Sequence, residues 1–100
     1  MNGFTTGRLF EPKSQSFNDK VFAESLIAFG GEKQAWLGMN AKGGPWVYTS
    51  SGNEFDFENW NAGQPNVDGH DCVYWGWENT KGEWSDHDCN ENKFFICEFV

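Results

Sequence analysis

Two kinds of residue in this sequence could do chemistry: cysteines, and histidines set among carboxylates. There are three cysteines, Cys72, Cys89 and Cys97, an odd number. None is spaced like the paired CxxC of a zinc site, so a disulfide is the better reading, and a disulfide implies an oxidising compartment. Cys72 and Cys89 flank a hairpin-like stretch, and closing the loop between them would stabilise the fold by about 3 kcal/mol in the chain-entropy treatment. Cys97 is then left over. The only two histidines, His70 and His87, both sit among acids, with Asp68 and Asp71 around the first and Asp86 and Asp88 around the second. Imidazole nitrogen with carboxylate oxygen is a donor set that zinc accepts, usually with four ligands, whereas calcium takes six to eight oxygens. The alternative is two ordinary exposed histidines on an acidic face. The sequence has no HExxH, no nucleophile–histidine pair and no glycine-rich phosphate loop, so it reads as a binding module rather than an enzyme.

These residues are carried by a short, acidic, aromatic chain. At 100 residues it is a single domain over 1–100. A domain of this size buries roughly two-thirds of the surface its unfolded form exposes, so modest stability is expected. Ten Phe, six Trp and two Tyr supply the core, each ring removing about 150–250 Å² from water when buried. Twelve Gly, with many Asn, Asp and Ser, point to abundant turns. The 15 acids against 7 bases give a net charge of −8. That sign excludes nucleic acid and anionic membranes as partners, because both need basic patches. It favours cations, neutral ligands or basic protein patches, unless the acids serve solubility alone. No run of 18 or more apolar residues is present, so no membrane insertion is expected. Met1-Asn2-Gly3 opens a polar stretch rather than a secretion signal. The expectation is a secreted, extracellular domain whose signal has been removed, or a short native form.

The elements that must position these groups follow from the apolar pattern. The first fifteen residues read as extended and polar. A helix follows, with Ser16 as N-cap, Asp19 in the first turn, and Phe22, Leu26 and Phe29 recurring at i, i+4 and i+7 beside Val21. Gly30-Gly31 ends it. Strands are expected at Ala35–Met39, Trp46–Tyr48, Cys72–Trp75 and Glu83–Asp86, with a turn over Glu78–Gly82. The last strand, Phe94–Val100, would carry Phe95, Cys97 and Phe99 on one face. Residues 49–70 hold few apolar side chains and many turn formers, and so long an irregular segment in a compact domain is usually functional. The fold class is α+β: one helix on small antiparallel sheets with a long loop. Trp36, Trp46, Trp60 and Trp84 read as core. One of Trp75 and Trp77 could instead serve as an exposed stacking platform.

Read in order, Trp36-Leu37-Gly38-Met39, Asn59-Trp60, Gln64-Pro65-Asn66, Asp71-Cys72-Val73, Trp84-Ser85-Asp86 and Phe95-Ile96-Cys97-Glu98 resemble the conserved segments of the C-type lectin-like domain. Gly7-Arg8-Leu9-Phe10 is similar to its Gly-x-Leu lead-in to the second helix. The resemblance implies that the usual N-terminal strand and first helix are lacking here. That helix normally carries the partner of the cysteine at position 97. Cys97 is therefore expected to be a free, largely buried thiol, the alternative being a Cys97–Cys97 bridge between two copies. The resemblance also implies a cation site formed by Gln64, Asn66, His70, Ser85 and Asp86, with Pro65 following a cis bond.

Of those five positions only Asp86 is a carboxylate. Gln64 and Asn66 offer amide oxygens, Ser85 a short hydroxyl and His70 a nitrogen. Calcium should therefore bind weakly or not at all, and Val67 after the proline motif argues against a second calcium site. A divalent cation held by His70 and Asp86, zinc in preference to calcium, is the expectation, with His87 ranked lower because it alternates away from Asp86. The functional expectation is metal-assisted binding of microbial or cell-surface polysaccharide. The alternative is a metal-independent protein-binding domain. The QPN triplet names no particular sugar.

Overall fold

The computed structural model describes residues 7–31, 33–66, 69–75 and 82–99. The chain runs β1 (Gly7–Leu9), α1 (Gln15–Ala28), β2 (Ala35–Asn40), β3 (Val47–Tyr48), β4 (Cys72–Trp75), β5 (Ser85–His87), β6 (Phe94–Phe95) and β7 (Cys97–Phe99). β1 and β7 form a two-stranded antiparallel sheet in which Gly7 faces Phe99. The larger sheet has the order β3–β2–β4–β5, with β6 added parallel to β2. The α+β expectation matches this architecture. The expected turn at Glu78–Gly82 falls mostly, and Trp77 wholly, outside the described residues.

Helix α1 begins two residues before the sequence placed it. Ser14, not Ser16, is the N-cap, and its hydroxyl accepts the Phe17 N–H at 3.2 Å. Both serines suit a cap, but Phe10, Glu11 and Pro12 are buried, so the chain is already tied down before Ser14. Asp19 accordingly lies beyond the first turn and accepts from the Gln15 side chain. The far end behaves as read: Gly30 takes a positive φ of 74°, and the Gly31 N–H reaches back to the Leu26 carbonyl. The predicted apolar face is used, with Phe22 buried and Val21 and Leu26 packed beside it.

The core joins Phe10, Phe22, Leu37, Met39, Tyr48, Val73, Trp75 and Trp84. At its centre sits a polar residue. The Asn18 side-chain oxygen accepts from the indole N–H of Trp84 at 2.9 Å and of Trp75 at 3.3 Å, while its amide donates to the Gly82 carbonyl at 3.0 Å. The helix is thus bolted to β4 and to the approach to β5. A second buried polar residue, Glu11, accepts from the Ser50 backbone N–H and hydroxyl at 2.8 and 2.9 Å and lies 3.5 Å from the Lys13 ammonium. Gly38 explains the third letter of the WLGM segment. A Cβ there would stand 2.6 Å from the Leu9 carbonyl oxygen and 2.8 Å from the Glu11 side chain.

Four expectations are corrected. The last strand is broken at Ile96, whose carbonyl accepts from Phe10 N and whose side chain packs on the core. Phe94 and Phe95 pair with the large sheet and Cys97–Phe99 with the small one. Because Ile96 points inward, its neighbours point outward, so Cys97 is free but exposed rather than buried. Trp75 is fully buried and is no stacking platform, and Trp36 is only half-buried, lying against Tyr74 with the Lys93 ammonium 5.2 Å above it. Cys72 and Cys89 are bonded, as read.

Two substitutions test this packing. Asn18→Ala strands two indole donors and one carbonyl, and should cost about 2–4 kcal/mol in urea unfolding. Gly38→Ala meets backbone on one side and a buried carboxylate stem on the other. It should cost about 2 kcal/mol or more, where an exposed glycine such as Gly43, with open space around it, should tolerate alanine.

Candidate functional site

The long loop is placed by aromatic packing. Trp84 is buried, with Phe55, Phe57 and Trp60 each 5.5–5.7 Å away, ring centre to ring centre. Trp46 packs on Trp60 at 5.1 Å. Backbone bonds from Trp84 N to Asn59 O and from Asn61 N to Trp84 O, both 2.8 Å, lay the loop alongside the start of β5. The two residues after Trp84 are Ser85 and Asp86, so the packing that holds the loop also sets the loop tip beside them.

At that tip the Gln64–Pro65 bond is cis, as expected. The Asn66 backbone N–H donates to Asp86 Oδ1 at 3.2 Å, and the Asp86 N–H donates to Gln64 Oε1 at 3.4 Å. His70 Nδ1 stands 3.9 Å from Asp86 Oδ2. Asp86 is 5% exposed and Ser85 2%, and the Ser85 hydroxyl has no hydrogen-bond partner. Gln64, Asn66, His70, Ser85 and Asp86, separate in sequence, line one open pocket of about 240 Å³ together with Tyr74 and His87. A second pocket of about 280 Å³ adjoins it, sharing Asn66 and His70 and adding Trp46, Pro65 and Asp71.

His87 stands nearer the site than the sequence suggested. Strand alternation does turn it from Asp86, since it pairs with Cys72 while Asp86 pairs with Val73. Yet the His70 ring folds over the strand and meets the His87 ring edge to face at 5.4 Å. His87 Nδ1 is buried without a hydrogen-bond partner. Its basicity is lowered chiefly by burial, then by the Lys93 charge, so its imidazole is neutral at pH 7. Tyr74, which the sequence did not single out, forms the floor, its ring 5.6 Å from that of His87. Tyr74 lies two residues after Cys72 on β4, and strand periodicity alone would have put it on the face of His87.

Among the described residues no group of three or more His, Cys, Asp or Glu side chains converges as a metal site. The tip offers one imidazole and one carboxylate, with two amides beside them. Two ligands of a tetrahedral ion bound at 2.0–2.1 Å lie roughly 3.3 Å apart, so His70 and Asp86 at 3.9 Å would have to close slightly. Asp88 is turned to its own loop, accepting from Asn90 N. Val67 and Asp68 lie outside the described residues.

Comparison with known proteins agrees with this architecture. The sequence profile of the lectin C-type domain matches residues 5–99. The chain is 35% identical over 98 residues to Collectin-10 of Gallus gallus, which covers 94% of this chain and 34% of that protein. It is 36% identical over 86 residues to lectin BRA-3 of Megabalanus rosa, covering 83% of this chain and 51% of that protein. The chain thus spans about a third to a half of the length of these relatives. Among solved structures, the C-type lectin CEL-I from Cucumaria echinata superposes with a TM-score of 0.81 at 20% identity, over 96% of this chain and 71% of that one. The mouse scavenger receptor C-type lectin carbohydrate-recognition domain superposes at 0.76 with 24% identity, over 93% and 72%. At such identities the superpositions establish the fold, and the sequence matches establish the kinship. The chain belongs to the C-type lectin domain family, whose members are binding modules rather than enzymes.

Proposed function

We propose that this domain is an extracellular glycan-binding module that takes a neutral sugar in the pocket between Gln64, Asn66, His70, Ser85 and Asp86. One observation carries the reading: five polar side chains from three separate segments line a single open pocket, and one of them, the Ser85 hydroxyl, is buried with no partner. Sugar hydroxyls both donate and accept, and would answer the amides, the hydroxyl and the imidazole alike. The names of the matched relatives include a lectin and a collectin, which agrees with a carbohydrate ligand. The Cys72–Cys89 disulfide agrees with an oxidising, extracellular setting, and among the described residues no helix is long and apolar enough to cross a membrane.

A divalent cation on His70 and Asp86 would assist binding, with zinc favoured over calcium. Calcium fits the donor set poorly: one carboxylate is present, and its Oδ1 already accepts the Asn66 N–H. Zinc suits an imidazole with a carboxylate, although two protein ligands promise only weak affinity. The second reading, metal-independent protein binding, is favoured by the internal bonds among Gln64, Asn66 and Asp86, which close the tip without a cation.

Glycan-array binding with and without chelator separates the two. Signal that falls with chelator supports the metal-assisted module. Absence of signal on every glycan, with unchanged unfolding after chelation, supports the protein binder. Calorimetry on one sample should give heat with zinc and little or none with calcium, and tight calcium binding without a zinc response would overturn the cation assignment. His70→Ala should weaken both zinc and glycan binding at least tenfold while moving stability by no more than about 0.5 kcal/mol, because its ring is partly exposed and makes no hydrogen bond in the core.

A further inference from the structure

The polar surface of the loop tip does not end at His70. Beyond it lies the adjoining pocket of about 280 Å³, whose lining includes Gly44, Trp46, Pro65, Asn66, His70 and Asp71. Much of this lining is held in place by the fold itself. The turn from Ala41 to Gly44 is closed by the Gly44 N–H on the Ala41 carbonyl at 2.9 Å. It is tied to the residue before β4 by the Ala41 N–H on the Asp71 carbonyl at 3.0 Å. Trp46 packs on Trp60 at 5.1 Å, ring centre to ring centre, yet is only half-buried. Asn66 is exposed, and its backbone N–H rather than its side chain holds Asp86. Asn66 and His70 line both pockets and so form their shared wall.

We propose that this second pocket is a second sugar subsite, so that the domain takes a neutral glycan of at least two linked residues rather than a single sugar. The inference rests on the glycan reading of the first pocket. Size supports it. Each pocket alone is smaller than the roughly 300–1,000 Å³ usual for a ligand site, and the two together fall inside that range. The lining supports it as well. A sugar ring has an apolar C–H face and a polar rim of hydroxyls. The Trp46 indole answers the first, and the Asp71 carboxylate and Asn66 amide answer the second. Charge sets the class of sugar. Asp71 lines one pocket and Asp86 the other, and among the described residues no Lys or Arg lines either. A sulfated or carboxylated ring in the second pocket would face Asp71, like charge on like, so the ring placed there is neutral.

Linkage decides how much the second pocket adds. Two sugars joined by a glycosidic bond lose their translational and rotational freedom once, not twice. Contacts made by the second ring therefore appear almost in full as affinity. The ordering cost on the protein side is low, because Trp46 is already packed on Trp60 and the 41–44 turn is already closed. A gain of about tenfold over the single sugar, roughly 1.4 kcal/mol, is the expected size. The shared wall of Asn66 and His70 sets the two rings side by side, as neighbouring residues of one glycan are.

The test titrates the full chain with mannose, galactose and N-acetylglucosamine, and with the di- and trisaccharides of each, read by NMR of the backbone and indole N–H groups. The expected result is a disaccharide that binds about tenfold more tightly than its own monosaccharide. The Trp46 indole signal, assigned by its loss in Trp46→Phe, should move with the disaccharide and not with the monosaccharide, while the backbone signals of Gln64 and Asp86 move with both. Trp46→Ala should bring the disaccharide to within about threefold of the monosaccharide. Asp71→Ala should do the same without touching the aromatic packing of the loop, so that a loosened loop is not mistaken for a lost subsite. Monosaccharide binding should be unchanged in both variants. Equal affinity for mono- and disaccharide, or a gain that survives both substitutions, overturns the second subsite and leaves the glycan reading standing. A spectrum that no sugar perturbs overturns both.

Discussion

The side-chain oxygen of Asn18 accepts from two indoles at once, in a position closed to water. In that setting an unmade hydrogen bond costs the full desolvation of each donor, so the helix, Trp75 and Trp84 are confined to one mutual arrangement. Trp84 passes the constraint on. Its ring is the hub of the Phe55, Phe57 and Trp60 cluster, and its backbone pairs with Asn59 and Asn61. The loop is therefore held by the helix through a tryptophan. The third bond of Asn18, to Gly82, closes the same circuit, since a Cβ on Gly82 would stand 3.1–3.2 Å from the Phe22 and Asn18 side chains and the Gly82 carbonyl also accepts from the Asn59 side chain.

The loop tip solves a local electrostatic problem in its own way. A buried carboxylate needs partners, and Asp86 finds them in a backbone N–H from Asn66 and in the His70 ring. These two belong to the loop. Any ligand that enters this pocket therefore competes with, or adds to, contacts that already shape it. The His70 and His87 rings, set edge to face, add imidazole nitrogens to a carboxylate site.

Much of this was legible in the sequence. The α+β class, the order of the segments, the Cys72–Cys89 bond, the cis Pro65 and the gathering of Gln64, Asn66, His70, Ser85 and Asp86 were all readable. The class and the segment order follow from turn residues and apolar runs, whereas the cis Pro65 and the gathering of the five polar residues followed only from the resemblance to the C-type lectin-like domain. What stayed hidden depends on partners far along the chain. Asn18 and Glu11 look like surface residues until Gly82, Trp84 and Ser50 are brought against them. Trp36 lies in a continuous apolar run, where alternation gives no hint that its ring faces Lys93 rather than the core. Cys97 was misjudged because the resemblance suggested a buried thiol, when Ile96 takes the inward position and its neighbours Phe95 and Cys97 are left exposed.

That change of sheets leaves β7 in register with β1, Gly7 opposite Phe99. The chain enters and leaves the domain side by side. Tension between those two points would act across the strand pair rather than along it. It would part the Gly7–Phe99 end first and run inward one bond at a time, the way a zip opens, instead of loading all the bonds together.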